Sequence, residues 1–110
     1  MHYSVLVCAG PDHPAAQTAL NTTRAVLARG HTLSRLFFFR DAVLLAKANS
    51  LGHDHWAALI RQHQLDAVLC VSAAEQRGIS PDSTVSPWVI SGLGQWADAL
   101  HHSDRVLSFG

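Results

Sequence analysis

Short apolar runs separated by helical patterns predict an α/β fold: a single three-layer domain with an approximately five-stranded parallel sheet flanked by helices. Three observations carry that expectation. Runs at 3–8, 32–39, 65–70, 88–90 and 105–109 have the length and composition of strands. Helical patterns fall between them, the order of βαβ units with right-handed crossovers. The runs Leu36-Phe37-Phe38-Phe39 and Ala67-Val68-Leu69 are continuous rather than alternating, as in strands covered on both faces. At 110 residues the chain has the size of one domain, 1–110, with one core and no repeat or low-complexity linker.

Each element has its own local reason. The first strand, 3–8, stops at Ala9-Gly10-Pro11. Pro14 suits the first turn of a helix, where a missing N–H costs nothing. From there Ala16, Ala19, Leu20, Thr23, Val26 and Leu27 mark one helical face, and Gly30 supplies a C-terminal stop. The second strand, 32–39, leads into a short helix at 41–48 and a stronger one at 54–63 with Trp56, Leu59 and Ile60 inward. The third strand, 65–70, passes directly into a helix at 71–77 that Gly78 ends. Two prolines and three serines make 79–87 a loop. A short fourth strand at 88–90 precedes a helix at 92–101 with Leu93, Trp96, Ala97 and Leu100 on one face, and 105–109 is the last strand.

Composition limits the partners. Eight basic and eight acidic residues cancel, so there is no whole-molecule field to attract nucleic acid and no direct nucleic-acid binding is expected. No apolar run approaches the roughly 18 residues that cross a bilayer. The start, Met1-His2-Tyr3-Ser4-Val5, enters a strand at once without a basic leader and cleavage site, so a cytoplasmic location is expected. Charged residues are only 15%, a weak sign that other subunits cover apolar surface. Two cysteines, Cys8 and Cys70, do not make a disulfide scaffold. Asn21-Thr22-Thr23 matches a glycosylation pattern but falls within a helix, a chance match.

Open parallel sheets carry their sites at the carboxyl ends of strands. That edge receives residues 9–13, Arg40-Asp41, 70–72 and Ser91-Gly92. Cys70 is the strong nucleophile among them. It ends a buried strand immediately before a helix, where free backbone N–H groups and the helix dipole can stabilise a thiolate. Sulfur transfer needs such a thiolate, which attacks an activated sulfur and passes it on as a persulfide. The plain alternative is a small buried hydrophobe, the reading preferred for Cys8. Arg40-Asp41 either caps the helix after the second strand or adds charge to the active edge.

Other signals are weaker. His53-x-His55 and His101-His102 lack the partners a zinc site requires, so no metal is expected. Ser91-Gly92-Leu93-Gly94 lacks the patterns of a phosphate loop, so no nucleotide or flavin cofactor is expected. Trp56, Trp88 and Trp96 read as core or interface anchors rather than a base-stacking platform.

The segment 65–79, with Cys70 between the run Leu65-Asp66-Ala67-Val68-Leu69 and the small-residue helix ending Arg77-Gly78-Ile79, resembles the active-cysteine segment of the DsrE/DsrF/DsrH-like sulfur-relay family, in its TusD-type members. Stretches 5–10, 30–43, 91–95 and 104–109 resemble the family in the same order. The resemblance implies a small parallel α/β fold and a persulfide-carrying sulfurtransferase with Cys70 as its catalytic residue. It also implies a TusA-like sulfur donor, a TusE-like acceptor, TusB/TusC-like subunits or a homo-oligomer, and delivery toward tRNA 2-thiouridine or DsrE-type sulfur oxidation. The chain is abbreviated against the family pattern around 48–56 and 79–88. Two rivals stand beside this reading: a non-catalytic assembly subunit with a structural Cys70, and a flavodoxin-like small-ligand binder.

Overall fold

The structure is a computed structural model and describes residues 1–80 and 85–110. Its strands are β1 (His2–Val7), β2 (Thr32–Phe38), β3 (Ala67–Cys70), β4 (Val89–Ser91) and β5 (Arg105–Phe109). Its α-helices are α1 (Pro14–Ala28), α2 (His53–His63), α3 (Val71–Gln76) and α4 (Leu93–His101), and a 3-10 segment covers Arg40–Ala46. All strand pairings are parallel, in the order β4-β3-β2-β1-β5.

This order explains the layers. From β1 to β4 the chain steps one strand at a time in one direction, so right-handed crossovers place α1, α2 and α3 on one face; the return from β4 to β5 places α4 on the other. Side chains agree. Phe38 meets Trp56 of α2 edge-on at 5.1 Å between ring centroids, while its strand neighbour Phe37 meets Trp96 of α4 at 5.8 Å. Adjacent residues on a strand point to opposite faces, so α2 and α4 flank the sheet from opposite sides. The expected three-layer α/β fold is what forms.

Helix boundaries follow local chemistry. Pro14 opens α1, the His13 imidazole accepts from the Ala15 N–H, and Gly30 takes a left-handed φ of 81° just beyond the helix. Ala16, Ala19, Leu20, Thr23 and Val26 are buried beneath it, with the Thr23 hydroxyl donating to the Ala19 carbonyl. Trp56, Leu59 and Ile60 are buried as expected. Gly78, at φ 76°, ends α3.

Three expectations change. The short helix after β2 is a 3-10 segment over Arg40–Ala46, entered through Arg40 in the left-handed region at φ 53° and bounded by the i→i+3 bonds from the Ala42 N–H to Phe39 and from the Lys47 N–H to Leu44. The third strand begins at Ala67 rather than Leu65: the Leu65 N–H bonds back to Ile60 in the turn that ends α2, leaving the Asp66 carbonyl to start the ladder to Leu36. Helix α4 is rolled relative to its predicted face. Ala99 is buried and Trp96 half-buried, whereas Ala97 and Leu100 are exposed. The Arg35 guanidinium lies between Asp66, at 2.6 Å, and Asp98, at 4.0 Å. The predicted loop 79–87 is described except for 81–84, which lie outside the described residues.

Candidate functional site

The carboxyl edge is built in rows. Phe109, Val7, Phe38, Leu69 and Ile90 lie side by side across all five strands. One residue further come Cys8, Phe39, Cys70 and Ser91, with Cys70 paired in register with Ser91. The two cysteines therefore share a row with one strand between them. At roughly 4.8 Å per strand their Cα atoms are about 10 Å apart, beyond the roughly 7 Å limit of a disulfide. Both thiols are free.

Cys70 closes a strand in which all four residues are buried, and it is the N-cap residue of α3. Its backbone is extended, at φ −63° and ψ 123°, and its side chain makes no capping hydrogen bond. The sulfur thus stands at the head of the helix without engaging the first-turn N–H groups. It is also 2% exposed and absent from the walls of the edge cleft described next.

That cleft, of about 530 Å³, opens on the neighbouring strands and holds the other thiol. Cys8, Gly10, His13, Arg40, Asp41 and Arg77 are among its walls. Burial pushes the Cys8 thiol above its ordinary value, and the Arg40 guanidinium pulls in the opposite direction. The charge that the sequence allowed Arg40 to add at the edge acts on Cys8, and the same guanidinium lies over the Phe39 ring at 5.8 Å. Asp41 does not cap the following segment; it takes the Arg77 Nε–H at 2.9 Å. Arg77 also donates from Nη1 to the Ala73 carbonyl at 3.1 Å, one turn back in α3, and its own carbonyl accepts from Lys47 Nζ at 3.4 Å. Sequence reasoning treated Arg77 only as the end of a helix before glycine. Its partner lies 36 residues away, and no local pattern announces such a pair.

The remaining signals resolve locally. His53 Nδ1 lies 2.8 Å from the Leu45 carbonyl, with its ring against Trp88; His102 Nδ1 lies 2.9 Å from the Asp98 carbonyl. Among the described residues no group of three metal-ligating side chains converges. Gly92 is the extended N-cap of α4, without a capping side chain. Trp56 and Trp88 belong to the core and Trp96 packs against it. No helix among the described residues is long and apolar enough to cross a membrane.

Fold and edge together define a class: a small parallel α/β domain with a cysteine at the junction of its third strand and the following helix. The chain belongs to the DsrE/DsrF-like family, whose profile matches residues 1–109. The sulfurtransferase TusD homolog of Pseudomonas aeruginosa is 37% identical, over all of this chain and 98% of that protein. The sulfurtransferase TusD of Serratia proteamaculans is 36% identical over 94% of this chain and 96% of its own, and the DsrE of Allochromatium vinosum 33% over 100% and 99%. The Pseudomonas match spans 128 residues against the 110 of this chain, so that relative has extra residues inside the matched span. The crystal structure of the YchN protein from E. coli has the same fold, with a TM-score of 0.83 at 23% identity over 99% of this chain and 100% of that one.

Proposed function

We propose that this chain is a sulfurtransferase of a sulfur relay, acting as one domain over 1–110, with Cys70 as the residue that receives and donates sulfur. The observation that carries the reading is the placement of Cys70 as the N-cap of α3 at the end of a buried strand, in a chain whose full-length relatives include proteins named sulfurtransferase TusD. The step balances without an external oxidant. The Cys70 thiolate attacks the terminal sulfur of a donor persulfide, R–S–SH. A new S–S bond forms, the donor's S–S bond breaks with its electron pair on the leaving thiolate, and the proton stays on the transferred sulfur. A second thiolate then repeats the attack on Cys70–S–SH. Both steps are exchanges between sulfurs and require no bound cofactor.

A TusA-like carrier as donor, a TusE-like protein as acceptor, and TusB/TusC-like subunits or further copies of this chain complete the relay in this reading. The location is cytoplasmic and the destination tRNA 2-thiouridine. Docking a donor protein over the carboxyl edge would bring two sulfurs into attack distance and supply the orientation that makes the exchange fast. The 2% exposure of Cys70 and its place outside the edge cleft favour the rival, an assembly subunit in which Cys70 is structural. Transfer from a persulfide-loaded carrier to an acceptor thiol, run with wild type and Cys70→Ser, decides between them. The sulfurtransferase reading expects turnover that Cys70→Ser abolishes while Cys8→Ser keeps it. Equal turnover in wild type and Cys70→Ser removes Cys70 from the mechanism.

A further inference from the structure

We propose that the Asp41–Arg77 pair, seated on Gly10, is a positioning device that sets the angle of α3 and so the placement of the Cys70 sulfur. This rests on the reading of Cys70 as the sulfur carrier. Neither member of the pair touches the sulfur in this account; both act through the helix that Cys70 heads.

Helix α3 has six residues, too few to hold its shape unaided. Its buried residues are Ala73 and Ala74, whose methyl groups fix its distance from the sheet but offer little to resist rotation about its own axis. Arg77 supplies that resistance. One arm of its guanidinium holds the Ala73 carbonyl within α3, and another holds Asp41 on the segment that follows β2. The planar fork ties the helix to the body of the domain at a defined angle, which a flexible ammonium cannot reproduce.

Asp41 is located in turn by Gly10, in the turn after β1. A Cβ at position 10 would stand 2.9 Å from the Asp41 Cβ and 3.4 Å from its carbonyl oxygen, so any side chain there displaces the Asp41 backbone. Three segments that follow three adjacent strands thus converge on one ion pair, on the wall of the cleft beside the Cys70 helix. Lys47 adds a fourth tie through the Arg77 carbonyl. The Asp41 carboxylate is largely exposed, at 66% of its side chain, and such pairs contribute little to global stability. A pair of low thermodynamic value, reached from three separate segments, fits a geometric role.

The test loads wild type, Asp41→Asn, Arg77→Met, Arg77→Lys, Gly10→Ala and the Asp41→Asn/Arg77→Met double variant with glutathione persulfide. The rate of sulfur addition at Cys70 is followed by mass spectrometry, and melting temperature is measured alongside. Each single variant is expected to slow Cys70 loading about tenfold, in keeping with the sensitivity of such exchanges to sub-ångström placement. The double variant is expected to be no slower than the slower single one. Arg77→Lys should fail to restore the rate, because charge without the fork is insufficient. Melting should barely move for the Asp41 and Arg77 variants, whereas Gly10→Ala, which displaces backbone, should melt lower. If Arg77→Met does not fold, Asp41→Asn and Gly10→Ala carry the test. Loading at the wild-type rate, loading restored by Arg77→Lys, or loss that only follows melting temperature overturns the positioning role. Wild type that gains no sulfur at Cys70 overturns instead the assignment of Cys70 itself.

Discussion

The ends of β1 and β3 carry the same residue in the same row of the same sheet, yet their surroundings are opposite. Cys8 runs into a turn of small residues and proline, and its backbone N–H is taken by the Phe109 carbonyl at 2.8 Å. Its thiol faces an open cleft, where burial raises its proton affinity and Arg40 only partly offsets that. Cys70 runs directly into a helix, and its thiol is covered. Access belongs to one sulfur and the helix terminus to the other. A cysteine at a strand end is therefore not a site by position alone; what the chain does in the next residue decides its chemistry. For Cys70 to react, the residues packed over the start of α3 have to open or be displaced.

The largest effect that sharpens this contrast comes from the layer beneath. Phe38 packs edge-on against Trp56 and Trp88, at 5.1 and 5.8 Å, alongside Leu69. Phe38→Ala should destabilise the domain by about 3–5 kcal/mol in denaturant unfolding. At low denaturant it should also raise Cys70 alkylation more than that of Cys8, because Cys70 is the more buried of the two thiols and gains more from any loosening of the core. Equal increases at both cysteines would mean that the cover over Cys70 is not local.

A smaller effect separates the thiols by pH. Alkylation of Cys8 should be slow at neutral pH and climb with a midpoint above that of an ordinary thiol, since burial disfavours its thiolate. Arg40→Gln removes the opposing charge and should move that midpoint further up. A downward move would contradict the placement of Arg40 at Cys8.

The smallest effect lies at the far, amino-terminal edge, away from both thiols. Asp104 accepts the His2 N–H at 2.9 Å, and that hydrogen bond, aided by the charges of His2, the amino terminus and Arg105, holds its carboxyl below the ordinary value. A depressed carboxyl contributes stability above its unfolded-state value and loses it as pH falls through the folded one. Asp104→Asn should therefore lower the melting temperature slightly at neutral pH and not at all in strong acid, with both thiols reacting as in wild type.

Much of this was legible in the sequence. The strands were readable because runs such as Leu36-Phe37-Phe38-Phe39 are apolar on both faces, and Pro14, Gly30 and Gly78 mark helix ends by backbone constraint alone. The junction at Cys70 was readable for the same reason, since a buried strand abuts a helix with no intervening turn residue. The roll of α4 was not, because alanines at 97 and 99 offer the pattern two nearly equivalent faces. Nor was the difference in exposure between the two cysteines, which depends on what the folded chain packs over each of them. The Asp41–Arg77 pair was equally hidden: Gly10 looks like an ordinary turn glycine until Asp41 is found against it.

The most direct measurement is a site-resolved map of sulfur on the wild-type protein. The chain is exposed briefly to a persulfide-loaded carrier, free thiols and persulfides are capped with an alkylating agent, and peptides containing Cys8 and Cys70 are compared by mass spectrometry. The account predicts one added sulfur on the Cys70 peptide and none on Cys8, despite the open cleft beside Cys8. Sulfur on Cys8 with none on Cys70 would contradict it.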